Sequence, residues 1–384
     1  MTNSVARFDP VFENAELSSP DEIKEIIRSL KNRKAPGIDG IQNAVLKILP
    51  QKHIAAITHI VNAMLRIQYF PSAWKQAIVV CIPKKGKPLN LTSSYRPISL
   101  LNAISKIAES IILNRLQAHA ASHNLLPDFQ HGFRESHSTQ HQLLRVTEKL
   151  ADSLNRRRHS AMLLLDVQQA FDRVWHDGLI HKLIQCNFPS HLILLVKSFL
   201  TDRSLCVRVG KDLSTPRPIR AGVPQGSKLS PFLFNMYCHD MPSAPGVLSA
   251  LYADDIALVS TSTQLNASIS PIVRFLPTLT NWYSKWRLVI NAQKSEAVFF
   301  SRRNRHPPML HVNDHPIRWS YSAKYLGVIM DRKLTWCRQI KAIRTKTLGA
   351  FVRLIPIFKC KRISSPTKYR IFNAIIHSIA TYAI

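Results

Sequence analysis

Two adjacent acidic residues, Asp254 and Asp255, stand between two short apolar runs within residues 248–260. Apolar runs of this length are typical of strands and Asp is a favoured turn residue, so the pattern predicts a β-hairpin with both carboxylates at its tip. Neighbouring carboxylates raise each other's pKa unless a cation lies between them. Oxygen ligands without His or Cys suit a hard ion such as Mg²⁺. The alternative interpretation is an ordinary polar hairpin turn.

A third carboxylate, Asp166, follows the apolar run 161–165, which predicts a buried strand. A carboxylate at the end of a buried strand is costly unless it is paired or bound to metal, so Asp166 is a candidate functional residue. Phe171, five positions later, would lie in the following turn near whatever Asp166 binds, or would be a core aromatic. If the strand before Asp166 neighbours the hairpin in one sheet, three carboxylates converge as ligands for two Mg²⁺ ions, the arrangement used for in-line phosphoryl transfer. The sequence alone does not show that convergence.

A loop rich in Gly and Pro, residues 219–231, carries a second group of candidates. Glycines such as Gly226 let a backbone approach a ligand closely, and the amide of Gln225 can both donate to and accept from a base or sugar. Ser230 and Pro231 at the end of the loop predict the cap and first residue of a helix.

A basic hairpin precedes these loops. The run 77–82 predicts a strand that leads into a flexible tip with Lys84 and Lys85, and the chain returns through Arg96. Cations on such a hairpin could clamp a triphosphate, because both Lys and Arg bind phosphate oxygens. Basic loop tips are common, so this signal is weak by itself. The absence of a GxxxxGK[ST] motif argues against a P-loop nucleoside triphosphatase.

The composition indicates a folded protein with a polyanionic partner. At 384 residues, 46% of them hydrophobic, the chain can bury a large core in two or three lobes. Fifty-two Lys and Arg against 23 Asp and Glu give a net charge of +29, which favours a nucleic-acid partner. Residues 301–384 hold 17 of the basic residues against two Asp. A solvated basic face or a nuclear-localisation cluster is the alternative interpretation.

The cysteine and hydropathy patterns exclude several other classes of protein. Six scattered cysteines without CxxC or Cys/His zinc spacing indicate neither a zinc knuckle nor a disulfide framework. The polar N-terminus is unlike a signal peptide, and no run of about 18 apolar residues predicts a membrane span. We therefore expect an intracellular protein, nuclear or cytoplasmic, that is neither secreted nor bound to a membrane.

Taken together, eight segments resemble the reverse transcriptase domain of a non-LTR (LINE-type) retrotransposon, closest to the Jockey group. They occur in the order of that family, at residues 34–40, 95–101, 129–134, 166–176, 222–227, 252–255, 294–295 and 325–328. The Tyr-Ala-Asp-Asp sequence is also found in group II intron and retron enzymes, but the sequences of residues 35–40 and 170–176 favour the LINE type. The ordered set is much more specific than any one segment.

The resemblance implies an α+β fold of the right-hand polymerase class, with fingers, a ferredoxin-like palm built on an antiparallel sheet, and a partial helical thumb. The implied domains are an N-terminal helical extension with the start of the fingers at 1–75, fingers at 76–160, palm at 161–318 with a fingers insertion at about 178–215, and primer grip with partial thumb at 319–384. Because nothing resembles the endonuclease of the family and the chain stops within the expected thumb, we expect a fragment or a truncated copy.

The activity implied by the resemblance is RNA-directed DNA synthesis, in which a DNA primer on an RNA template is extended with dNTPs. Two Mg²⁺ ions, with Mn²⁺ as a substitute, would be held by Asp166, Asp254 and Asp255, and Lys294 would help to protonate the pyrophosphate. The incoming nucleotide would contact Lys84, Lys85, Arg96, Phe171, Gln225 and Gly226. In this set Phe171 would block a 2′-hydroxyl, Arg96 with either lysine would meet the triphosphate, and Gln225 and Gly226 would line the nucleotide and template pocket.

The main alternative is a catalytically weak, truncated remnant that binds nucleic acid. It would keep the basic surface while an incomplete thumb lets the primer and template slip. Primer extension measured beside salt-dependent binding separates the two hypotheses, because a remnant binds without extending.

Overall fold

The computed structural model describes residues 15–84, 86–303 and 307–382. Its helices are α1 Pro20–Ser29, α2 Asn43–Lys47, α3 Gln51–Ile67, α4 Ala103–Ser122, α5 Thr139–Asn155, α6 His176–Gln185, α7 Ser190–Leu200, α8 Ser230–Tyr237, α9 Ser270–Lys285, α10 Cys337–Lys359, α11 Ser365–Ile371 and α12 Ser378–Ala380. Its strands are β1 Gln76–Pro83, β2 Tyr95–Leu100, β3 His159–Asp166, β4 Arg203–Val209, β5 Asp212–Leu213, β6 Arg217–Ile219, β7 Val247–Tyr252, β8 Asp255–Ser262, β9 Glu296–Phe300, β10 Leu310–Val312, β11 His315–Ser320, β12 Ser322–Tyr325 and β13 Val328–Asp331.

The chain divides into two compact units. The first unit takes in the residues up to Asp128 together with Gln169–Met241 and Tyr283–Val289, and the second takes in Phe129–Gln168, Pro242–Trp282 and the residues from Ile290 onward. The sequence-based boundaries of fingers, palm and thumb stay a prediction. None of the helices among the described residues has the length and apolarity that crossing a membrane requires.

The first unit contains a five-stranded sheet in the order β2-β1-β4-β5, with β6 paired to the other side of β4. Strand β1 forms where the apolar run predicted one, and its residues Ala77, Ile78 and Val79 are buried. It pairs antiparallel with β2 and parallel with β4. Helix α1 also follows its sequence signals, since the Ser19 hydroxyl accepts the N–H of Glu22 and Pro20 is the first helical residue.

The second unit is built on a six-stranded sheet in the order β10-β11-β9-β3-β8-β7. Strand β3 lies in its interior and pairs antiparallel with both β8 and β9, which explains why its sequence is almost wholly apolar. The chain order of β3, β7, β8 and β9, with α9 between the last two, is the βαββαβ pattern of ferredoxin-like folds. The predicted α+β fold with a ferredoxin-like, largely antiparallel palm sheet is therefore observed.

One face of this sheet packs against helix α5 and the β12–β13 hairpin. The shared core contains Met162 of β3, Val298 and Phe300 of β9, Val146 of α5 and Met330 of β13, all at most 5% exposed. Burying apolar side chains on this scale stabilises the sheet by roughly 1.5–3 kcal/mol per residue. The edge of the sheet where β3 ends is thus attached to a rigid, well-packed platform.

Candidate active site

The central feature of the site is the pairing of two carboxylates across the β3–β8 ladder. Asp166, the last residue of β3, lies directly opposite Asp255, the first residue of β8. Opposed residues of antiparallel strands have Cβ atoms about 4.5–5.5 Å apart, so their side chains are neighbours. The sheet therefore joins two residues that the sequence separates widely, as the predicted convergence requires.

The hairpin that carries Asp254 and Asp255 turns one residue earlier than the sequence suggested. Strand β7 ends at Tyr252, which pairs with Asp255, so the two-residue turn consists of Ala253 and Asp254. Ala253 adopts a left-handed φ of 59°, which costs a residue with a side chain about 1–2 kcal/mol. Asp254 and Asp255 are both exposed, and of the two only Asp255 belongs to the ladder, where it lies opposite Asp166.

The electrostatics of the carboxylates indicate a place for a cation. Loss of hydration, then repulsion from Asp254, then repulsion from Asp166 raise the pKa of Asp255 to about 6. Among residues 15–84, 86–303 and 307–382, no three His, Cys, Asp or Glu side chains are already gathered as a ligand group. A bound cation would offset the repulsion among these carboxylates.

We predict that the raised pKa of Asp255, caused first by desolvation and then by repulsion, makes the metal-free protein less stable as the pH rises. The folded-state pKa of Asp255 exceeds its ordinary value of 3.8, so its contribution is most favourable below about pH 4 and is lost as the pH rises to about 6. The melting temperature in chelator, measured from pH 4 to pH 7, should fall less in Asp255→Asn than in the unaltered protein. Equal pH slopes in the two proteins would contradict this account.

The segment after helix α9, residues 291–295, holds the backbone of Asp166 by hydrogen bonds. The Asn291 N–H donates to the Asp166 carbonyl at 2.8 Å, and the Asp166 N–H donates to the Ser295 hydroxyl at 3.3 Å. Ser295 in turn donates to the Asn291 carbonyl at 2.8 Å. Between them Lys294 is exposed and brings its Nζ to 3.9 Å from the Asp166 carboxylate. The predicted catalytic lysine thus lies beside the predicted metal ligand.

The loop at residues 129–132, part of the family-like segment 129–134, lies against the hairpin. The side-chain oxygen of Gln130 accepts the N–H of Gly132 at 2.8 Å and the N–H of Ala253 at 3.2 Å. Sequence reasoning did not single out Gln130 or Gly132 as site residues. The available signal was the glycine itself, since a glycine within an aromatic loop can mark a close backbone approach.

The residues predicted to bind the nucleotide belong to the first unit, apart from Lys85, which lies outside the described residues. The Gln225 side-chain amide donates to the Asp172 carboxylate at 3.0 Å, and the backbone carbonyl of Gln225 accepts the N–H of Ser99 in β2 at 2.8 Å. A Cβ on Gly226 would lie 2.5 Å from the Ser99 carbonyl, so only glycine fits there. Arg96, on the same strand as Ser99, is exposed.

Phe171 is both packed and partly accessible. Its ring stacks on Phe234 with centroids 4.8 Å apart, and its carbonyl accepts the N–H of Val223. The ammonium of Lys84 donates to the Ser93 carbonyl at 2.9 Å, so this lysine is partly engaged within its own hairpin. Phe171 can therefore be a core aromatic and also block a 2′-hydroxyl, since one face of a half-buried ring can pack while the rest contacts a ligand.

The start of helix α8 differs from the prediction. Ser230 is the first residue of the helix rather than its cap, and the Ser227 hydroxyl accepts the N–H groups of Leu229 and Ser230. The buried carboxylate of Glu109 accepts hydrogen bonds from the Ser227 hydroxyl and the Lys228 N–H, both at 2.7 Å. The loop after Gly226 is therefore held from within, and the sequence could not show this because Glu109 is distant along the chain.

Comparison with known proteins agrees with this geometry. Residues 82–330 match the family model described as reverse transcriptase (RNA-dependent DNA polymerase). The chain is 41% identical over 84% of its length to the probable RNA-directed DNA polymerase from transposon BS of Drosophila melanogaster. It is 40% identical over 85% of its length to that from transposon X-element, and 38% identical over 95% to that from mobile element jockey, both of the same species.

The chain spans 36% of the first two relatives and 41% of the third. The predicted resemblance to the Jockey group of non-LTR elements and the predicted right-hand polymerase class are both confirmed by these matches. The family model covers 249 residues, more than half of the chain, and includes parts of both units. The chain therefore belongs to the reverse transcriptase (RNA-dependent DNA polymerase) family.

Proposed function

We propose that this chain is an RNA-directed DNA polymerase that extends a DNA primer with dNTPs in the copying of a retrotransposon. The observation that supports this most is the pairing of Asp166 with Asp255, with Lys294 at 3.9 Å, in a member of the reverse transcriptase family. Family membership implies a nucleic-acid template and primer and nucleotide substrates. The net charge of +29 is suited to holding such a polyanion.

Reverse transcriptases generally use divalent metal ions, and the donors present here fit them. Carboxylate oxygens without His or Cys are the ligands that Mg²⁺ prefers, and a bound cation would offset the repulsion from Asp254 and Asp166 that adds to desolvation in raising the pKa of Asp255. Asp166, Asp254 and Asp255 would hold two Mg²⁺ ions, for which Mn²⁺ can substitute. When bound, the ions would lower the pKa of the primer 3′-hydroxyl and neutralise the triphosphate.

Lys294 would donate a proton to the departing pyrophosphate. Its ammonium is exposed, and it is held near the reaction centre by Asp166 and by the fixed backbone of residues 291–295. A surface ion pair of this length contributes little to stability, so it leaves the ammonium available to a substrate. Proton transfer from a positioned side chain typically contributes 10²–10⁴-fold to a rate.

The first unit would select the nucleotide. Phe171 would lie beneath the sugar, Arg96 would meet the triphosphate together with Lys84 or Lys85, and Gly226 would let the backbone approach the base pair. Gln225 would present its amide in one orientation, because its NH₂ group is already used by Asp172. These roles rest on the resemblance to the family and on the contacts within this unit.

We predict that Phe171→Val admits ribonucleotides. Shortening the side chain opens space for a 2′-hydroxyl, and discrimination that depends on steric exclusion should fall roughly 10- to 100-fold. The measurement is kcat/KM for dTTP and for UTP with the same primer and template. Phe234→Leu, which removes the stacking partner but leaves Phe171 in place, is the control. Equal loss of discrimination in both variants would assign the effect to packing rather than to the sugar.

The assignment as a whole is tested by primer extension. The purified chain should add dTTP to an oligo(dT) primer on poly(rA) in Mg²⁺, and Asp254→Asn should abolish this while the protein remains folded. Unchanged extension by Asp254→Asn would refute the assignment. Binding of primer and template without any extension by the unaltered protein would favour the non-catalytic remnant.

A further inference from the structure

We propose that Gln130 is a positioning residue that sets the Ala253–Asp254 turn for metal binding. Gln130 is 2% exposed, and its side-chain oxygen accepts the Ala253 N–H at 3.2 Å. That hydrogen bond ends on the residue immediately before Asp254. The proposal rests on the proposed function, since it assigns to Gln130 the placement of a predicted metal ligand.

Backbone hydrogen bonds fasten the loop of Gln130 to strand β7. The Leu251 N–H donates to the Phe129 carbonyl at 2.8 Å, and the His131 N–H donates to the Leu251 carbonyl at 2.9 Å. The amide of Gln142 in α5 donates to the same two carbonyls, at 3.0 and 2.9 Å. The loop thus extends the sheet beyond β7. Gln142 also ties it to helix α5, so the loop that contacts the turn is held by both elements.

Gly132 shows how closely the loop approaches the turn. A Cβ at this position would lie 2.1 Å from the nitrogen of Ala253, a distance that no side chain can occupy. The Gly132 N–H also donates to the Gln130 side-chain oxygen at 2.8 Å, which fixes the orientation of the amide. The side-chain oxygen therefore accepts two backbone N–H groups, one from its own loop and one from the turn.

The turn requires such support for two reasons. Ala253 has a φ of 59°, which glycine adopts without strain but which costs alanine about 1–2 kcal/mol. Its N–H is in a buried residue, where a missing acceptor would cost about 1–3 kcal/mol. Without the Gln130 oxygen, the turn would relax and carry Asp254 away from the metal position.

The test is the affinity for Mn²⁺, measured by electron paramagnetic resonance of the free ion without nucleotide or primer. Gln130→Met keeps the size of the side chain and removes the acceptor. Because residues that orient metal ligands typically contribute 10- to 100-fold to affinity, we expect the dissociation constant to rise roughly 10-fold. The Mg²⁺ concentration that gives half-maximal primer extension should rise by a similar factor.

Gln339→Met is the matched control. Its side-chain oxygen likewise accepts a backbone N–H, that of Ile329 in β13 at 2.9 Å, in the same unit but not in the Ala253–Asp254 turn. It should lose thermal stability as Gln130→Met does, and keep its Mn²⁺ affinity. Unchanged Mn²⁺ affinity in Gln130→Met, or an equal loss in Gln339→Met, would overturn the proposal.

Two further results complete the test. If Gln130→Met does not fold, Gln130→Asn decides, because its shorter side chain withdraws the oxygen from Ala253 and keeps a polar group in place. If the unaltered protein binds Mn²⁺ but does not extend a primer, the proposed function fails while the positioning role is still decided by the affinities. If Gln130→Met and Gln130→Asn both extend primers normally and both bind Mn²⁺ with normal affinity, the positioning role is refuted and the proposed function is not.

Discussion

Asp166→Asn is expected to reduce the rate of primer extension on the order of 10³-fold, the scale at which single charged groups of a catalytic site act. Replacing this carboxylate removes one of the two opposed ligands of the β3–β8 ladder without changing the size of the side chain. The same change removes repulsion from Asp255, so the folded protein should become no less stable. The measurements are single-turnover extension in Mg²⁺ and thermal unfolding in chelator.

Asp166→Asn is expected to lose activity without losing stability, and this combination distinguishes a lost metal ligand from misfolding. Asp152→Asn in helix α5 is the matched control, since Asp152 lies in the same unit and pairs only at the surface with Arg156. It should extend primers normally. Loss of extension in Asp166→Asn accompanied by a lower melting temperature would point to misfolding rather than to a lost metal ligand, and would count against the account.

Lys294→Met is expected to lower the maximal extension rate roughly 10²-fold, the lower range for loss of a general acid. Its binding of primer and template should be nearly unchanged, because one exposed cation is a small part of a net charge of +29. The measurements are the maximal rate under single-turnover conditions and the salt dependence of primer–template binding.

Lys149→Met removes an exposed cation from helix α5 of the same unit and serves as the control for charge. It should reproduce any small change in salt-dependent binding and none of the change in rate. If Lys294→Met weakened binding of primer and template and left the maximal rate intact, Lys294 would be a phosphate contact rather than a proton donor.

The chemistry of the site could be predicted from the sequence because its residue types are informative locally. A carboxylate at the end of an apolar strand and an Asp-Asp step between two strand-like runs each indicate an oxygen-ligand site. That Asp166 and Asp255 lie next to each other could not be predicted from their spacing in the sequence. It depends on the ladder between β3 and β8, a contact between segments far apart in the chain, and only the family resemblance supplied it in advance.

Two local features escaped the sequence for different reasons. The turn was expected at Asp254 and Asp255, but it contains Ala253, because cross-strand pairing of Tyr252 with Asp255 outweighs the preference of alanine against a left-handed φ. The loop of Gln130 and Gly132 was identified without its role, since its hydrogen bonds run to a hairpin more than a hundred residues later. Support from distant segments of this kind has no signature in a local pattern.

The most direct test of the central claim is anomalous diffraction from crystals soaked in Mn²⁺. We predict an anomalous peak at the carboxylates of Asp166 and Asp255, whose oxygens would hold the ion. We also predict that this peak is lost in Asp166→Asn crystals. No peak between these carboxylates, in a protein that nonetheless extends primers in Mn²⁺, would contradict the claim that this pair holds the catalytic metal.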